Sequence, residues 1–206
     1  MPDRPFFEQC VDDALAAREE PLESLVAEAE PVARACHAMA ERFHRGGTLI
    51  VFGNGGGATD AQHISVEFVH PVLVGKRALP ALSLTADVAT MTGIAARAGF
   101  DEVFAHQLRH LAVADDLALG LSVDGDCGNV LRGLEQAHAM GLLTVALVGA
   151  DGGAIGASPA VDHVLRADSH DPRVIKEVHV TTYHILWELV HVFFDHPGAL
   201  TAEAAS

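Results

Sequence analysis

Apolar residues recur at helical spacing over roughly Phe6 to Arg18 and again over Leu22 to Phe43, with Pro21 between the runs and Gly46 and Gly47 after the second. That spacing buries one face of a helix, and proline and glycine interrupt it, so the pattern predicts two N-terminal helices separated at Pro21. Five short apolar runs follow: TLIVFG (48–53), PALSL (80–84), LALGLS (117–122), LLTVALVG (142–149) and DHVLRA (162–167). Strands buried on both faces read as such runs, and helical patterns lie between them. The expected fold is α/β, a three-layer α/β/α sandwich around a five-stranded parallel sheet. A last helix is expected from about Arg173 to Asp195, stopped before Pro197 and Gly198, with LTAEAAS as a frayed tail.

The chain is 206 residues long and half hydrophobic, which fits one domain with a substantial core. Its expected division is 1–46 for the N-terminal helices, 47–195 for the sheet and its helices, and 196–206 for the tail. Thirteen Lys and Arg against 28 Asp and Glu leave a net charge of −15, a field that repels phosphate backbones and anionic lipid. Direct nucleic-acid binding and a membrane partner are not expected. Cys10, Cys36 and Cys127 are odd in number and lack metal-ligand spacing, so they read as packing residues in a reducing compartment. No segment offers about 18 uninterrupted apolar residues, and the start of the chain lacks a leader pattern; a cytoplasmic protein is expected.

Chemistry concentrates where the first strand ends. VFGNGGGATDAQHISVE (51–67) has four glycines in its first seven residues, which suits either a binding loop or a tight strand-to-helix turn. In parallel sheets ligands collect beyond the carboxyl ends of strands, where this loop and the one after the third strand would lie. His63 and Glu67 are four apart, so they share a helix face and suit a metal, an acid/base pair or a plain solvated ion pair. In the last helix, KEVHVTTYHILWELVH, Glu177, His184 and His191 fall on one stripe, with Lys176 and His179 on flanking faces. His179 and His191 read as satisfied core or interface histidines. GKR (75–77) is a compact basic spot that reads as a surface loop, with an anion contact offered to a neighbouring subunit as the alternative.

GNGG at 53–56, DAQH at 60–63 followed by Glu67, a Ser-x-x-Gly loop after the third strand, and the closing KEVHVTTYHILWELV together resemble the sugar isomerase (SIS) domain family. Within it the chain is most similar to the phosphoheptose isomerases, which interconvert sedoheptulose 7-phosphate and a heptose phosphate; the likeness spans about Leu22 to Val192. The resemblance implies a homotetramer with active sites between subunits, a sugar or sugar phosphate as small-molecule partner, Glu67 as base and His184 as its acid/base partner. It also implies zinc held by His63, Glu67, His184 and a glutamine of the last helix. Asn54, Gly55, Gly56, Asp87, Ser122, Asp124, Gly125, Cys127 and Lys176 are the substrate-binding candidates that it suggests, Asp87 for hydroxyl recognition.

Two departures matter. Lys176 stands where the family has its glutamine ligand, so a metal-free site with the ammonium in the metal's place is an alternative to zinc. The family's Ser-Thr-Ser-Gly-Asn-Ser phosphate loop reads Ser122, Val123, Asp124, Gly125, Asp126, Cys127 here, and its serine after GNGG is Gly57. A carboxylate about 4 Å from one phosphate charge costs roughly 4 kcal/mol at an effective dielectric of 20. Either Asp124 points away, a cation offsets it, or the ligand is not a phosphate; Asp126 is expected to cap a helix from Cys127 to Met140. Beside the isomerase stand two other readings, a non-catalytic SIS platform such as the family's replication-initiator binder and a sugar sensor.

Overall fold

In the computed structural model, which describes residues 4–196 and residue 198, the first helix α1 (Arg4–Ala27) runs on through Pro21. The expected break at Pro21 is thus corrected to Glu28, which precedes α2 (Ala29–His44). Proline in a helix forfeits one backbone hydrogen bond, but Pro21 is buried and α1 is tied to the last helix by Arg18, whose guanidinium donates to both carboxylate oxygens of Glu177 at 2.6 and 2.9 Å. Tertiary packing overrides the local preference. Along α1, Phe7, Val11, Leu15, Leu22 and Val26 are exposed.

Five parallel strands follow: β1 (Leu49–Gly53), β2 (Ala81–Ser83), β3 (Leu117–Ser122), β4 (Leu143–Val148) and β5 (His163–Arg166), in the order β2-β1-β3-β4-β5. The five-stranded parallel sheet and its flanking helices are as expected, with strand ends shifted by a residue or so. Alternate residues feed two cores. Leu49 and Val51 of β1 join Leu119 and Leu121 of β3 under α2, α3 (Gly56–Val69) and α8 (Pro172–Asp195). Ile50, Phe52 and Ala118 face the other way, under α4 (Val88–Ala98), α5 (Val103–Leu111) and α6 (Gly128–Ala139). A one-turn helix α7 (Gly153–Gly156) lies between β4 and β5.

The last helix starts where capping chemistry places it. Asp171 accepts a hydrogen bond from the Arg173 N–H at 2.9 Å, and Pro172 occupies the first turn, where its missing N–H costs nothing. Bonds from the Arg173 side chain, then from its backbone, hold the Asp171 carboxyl down to about 2. Of the cysteines, Cys36 is buried as a packing residue, but Cys10 is exposed and Cys127 half-buried. Among the described residues no helix is long and apolar enough to cross a membrane. Apart from His196 and Gly198, the tail expected over 196–206 lies outside the described residues.

Candidate active site

The strand order reverses between β1 and β3, and a crevice opens beyond their carboxyl ends. β1 turns through Asn54 and Gly55 into α3, with Gly55 at φ +53°, a conformation that glycine enters without strain. A Cβ on Gly53 would stand 2.9 Å from the Leu121 carbonyl, so the bare backbone lets this loop lie against β3. Asn54 and Asn129 then exchange side-chain amide hydrogen bonds of 2.7 and 2.9 Å across the crevice.

On α3 and α8, His63, Glu67 and His184 meet although more than a hundred residues separate the last two in sequence. His63 Nε2 lies 3.1 Å and His184 Nε2 3.2 Å from the same oxygen, Glu67 Oε1. One ligand atom from each of the three residues fits within 4.8 Å of the others. Glu67 is 8% exposed, and its second oxygen, Oε2, is buried with no hydrogen-bond partner. An unpartnered buried carboxylate oxygen is costly unless a ligand takes it up. The donor set of two imidazoles and one carboxylate, with that oxygen spare, fits a divalent ion that keeps an open coordination position.

Neighbouring side chains orient the cluster. The Tyr183 hydroxyl lies 3.2 Å from His63 Nδ1, which turns the other ring nitrogen toward Glu67. Burial pushes the Tyr183 phenol up, so it is a neutral partner. The Trp187 indole N–H donates to the Glu67 carbonyl at 3.0 Å and ties the end of α3 to α8.

Nearer the strand ends, α3 and α8 wall one side of a cavity of about 290 Å³, and the β3–α6 loop walls the other. Asn54, Gly56, Ser122, Asp124, Cys127 and Lys176, all expected site residues, line it. Gly55 caps the start of α3, and Gly125 forms the turn of the β3–α6 loop at φ +78°. By helix rise, Asp60 at the cavity lies about 4.5 Å along α3 from His63 and about 10 Å from Glu67, so the cavity adjoins the His63–Glu67–His184 cluster.

Several expectations are corrected by these positions. Lys176 does not stand in for a fourth metal ligand: its ammonium bonds Asp60 Oδ1 at 2.7 Å and the Gly56 carbonyl at 3.2 Å, because a buried carboxylate on the facing helix offers a charge-assisted bond. Asp126 does not cap α6. Its carboxylate reaches across to accept from the Ala154 N–H at 2.8 Å and so caps α7, while Cys127 holds the α6 N-cap position with no side-chain bond. Asp87 caps α4, accepting from the Thr90 N–H at 3.0 Å and its hydroxyl at 2.6 Å, and lines a separate cavity with His106 and His110. The Thr90 hydroxyl bond, first among causes, lowers the Asp87 carboxyl.

Glu177 pairs with Arg18, away from the cluster, and Lys76 is bound to Asp195 at 2.8 Å. His191 is a core residue, as expected, its two ring nitrogens against the carbonyls of Trp187 and Arg77. His179 is buried but is not a satisfied core residue, because its Nε2 has no partner and the residue lines the cavity. Asp60, a buried carboxylate, also lines the cavity and is absent from the expected site. Its spacing to His63 and Glu67, three and seven residues on one helix face, is the signal that marks it.

Known proteins share this fold. The family model described as the SIS domain matches residues 15–149. Phosphoheptose isomerase of Solidesulfovibrio magneticus is 40% identical over 186 residues, covering 90% of this chain and 88% of the relative. That of Helicobacter pylori strain P12 is 35% identical over 88% of this chain and 94% of its own length. The solved phosphoheptose isomerase structures from Francisella tularensis and Neisseria gonorrhoeae superpose with TM-scores of 0.83 and 0.81 at 30% and 29% identity. Each covers 89% of this chain, and 97% and 98% of those chains are matched. With its parallel sheet in the order β2-β1-β3-β4-β5, the chain belongs to the SIS domain family and, within it, to the phosphoheptose isomerases.

Proposed function

We propose that the protein is an aldose–ketose isomerase of sugar phosphates, with sedoheptulose 7-phosphate, the substrate class of its named relatives, as the first compound to test. The observation that carries this reading is the 3.2 Å contact between Glu67 and His184, which puts a carboxylate base and a second proton carrier on one small guest. Glu67 takes the proton from the carbon beside the substrate carbonyl, and an enediol forms. His184 moves a proton between the two substrate oxygens, and Glu67 returns its proton to the neighbouring carbon. The bonds balance with no oxidant or second substrate. A divalent ion such as zinc, held by His63, Glu67 and His184, supplies charge stabilisation at the substrate oxygen when bound.

Incubation with sedoheptulose 7-phosphate in heavy water tests the reading directly. Deuterium is expected at the carbon next to the carbonyl, and added zinc is expected to raise Tm by an increment that His63→Ala abolishes. Folded protein that gives no label with or without zinc is not an isomerase of this substrate.

The apolar stripe on α1 supports a homotetramer, since Phe7, Val11, Leu15, Leu22 and Val26 would otherwise face water along the helix. Val11→Asp combined with Leu15→Asp is expected to reduce the mass measured by light scattering from tetramer to smaller species. An unchanged mass would assign the stripe another role.

A further inference from the structure

The crevice cavity is lined by the carboxylates of Asp60 and Asp124 and by the unpartnered Nε2 of His179. Its anion seat, by position, is the β3–α6 loop: the Ser122 hydroxyl, the backbone N–H of Asp126 and the first turn of α6, a helix of 12 residues. Asp124 already takes two of these donors, the Ser122 hydroxyl and the Asp126 N–H. Its Oδ1 accepts from the Ser122 hydroxyl at 3.1 Å and from the Asp126 N–H at 3.0 Å, while Ser122 Oγ accepts from the Gly125 N–H at 3.0 Å. The Asp126 backbone bond, first among causes, holds the Asp124 carboxyl below its usual range, so the occupant is an anion.

The amide of Asn54 and the ammonium of Lys176, the other side-chain donors here, are already engaged. Asn54 is closed on Asn129, and Lys176 directs its ammonium to Asp60 and Gly56. His179, only 4% exposed, carries the buried, unpartnered Nε2. Burial pushes its imidazole down and the Val148 carbonyl bonds the ring, which leaves Nε2 as a lone-pair acceptor. A ligand segment that satisfies both His179 and Asp124 presents hydroxyl donors.

We propose that Asp124 is a specificity-determining residue that fills the anion seat in cis, weakening phosphate binding there and favouring a hydroxyl-bearing segment that Asp124 and His179 receive. The inference rests on the isomerase reading only for the choice of sugar, and it narrows that reading from sugar phosphates to sugars whose segment at this seat carries hydroxyls in place of phosphate. Calorimetric binding at fixed ionic strength, with inorganic phosphate and unphosphorylated sedoheptulose as probes, requires no turnover.

Asp124→Ser is expected to tighten inorganic phosphate roughly tenfold to a few hundredfold, because a unit charge a few ångströms away is removed. It should leave sedoheptulose binding equal or weaker. His179→Phe is expected to weaken sedoheptulose about fivefold or more and leave phosphate unchanged. Should Asp124→Ser fail to fold, Asp124→Asn keeps the oxygen acceptor and removes the charge, and it should also tighten phosphate.

Phosphate affinity within twofold of wild type in a folded Asp124 variant overturns the proposal, as does wild-type protein that binds phosphate more tightly than the variants. If binding follows the expectation but no deuterium enters any sugar, the isomerase reading falls and the role of Asp124 stands.

Discussion

Glu67→Gln is expected to lower the rate of deuterium exchange into substrate by about a thousandfold, within the range associated with loss of a positioned general base. The substitution keeps the shape of the side chain and the contacts of α3 with α8, so the expected loss is in chemistry. Stability should move little or rise. Glu67 is 8% exposed with one carboxylate oxygen unpartnered, and a neutral amide carries a smaller desolvation cost than a buried charge. Exchange rate and Tm measured on the same preparation separate the outcomes. A folded variant with undiminished exchange removes Glu67 from the reaction, whereas a collapse in Tm assigns it a structural role.

The second large effect is expected at Gly125→Ala, with a loss of about 3–5 kcal/mol of stability and a Tm lower by on the order of 10 °C. Gly125 holds φ +78°, and a Cβ there would stand 1.9 Å from the Gly152 carbonyl oxygen, a backbone atom that cannot swing aside. Relief requires the β3–α6 loop to part from the turn before α7, which also breaks the bond from the Ile155 N–H to the Gly125 carbonyl at 2.9 Å. Gly93, inside α4 with nothing within 4 Å of where an added methyl would stand, is the control. Gly93→Ala should raise stability by about 1 kcal/mol through helix propensity. Thermal unfolding of the pair checks both signs, and equal Tm values would refute the steric account.

Periodicity makes the sheet legible because buried parallel strands need apolar side chains on both faces, as Leu49–Phe52 and Leu117–Leu121 supply to the two cores. Pro21 misleads for the converse reason: its local cost is visible in the sequence, whereas the burial and the Arg18–Glu177 contact that offset it depend on a helix more than 150 residues away. His63, Glu67 and His184 are legible through their helical spacing and the family likeness. The partners chosen by Lys176 and Asp126 are not, because a long or turn-borne side chain takes whichever acceptor or donor the fold presents: Asp60 for the first and Ala154 for the second. His179 escapes for a related reason. An apolar helix with an embedded imidazole looks the same in sequence whether or not the ring finds partners.

The opposed faces of the sheet divide the work of the crevice. His63, Glu67 and His184 ride on α3 and α8 over one core, while Ser122, Asp124 and Cys127 lead into α6 over the other. Selection can therefore revise the loop on one side, residue by residue, without dislodging the proton-moving groups on the other. Such a scaffold acquires a taste for new sugars more easily than it acquires a new reaction.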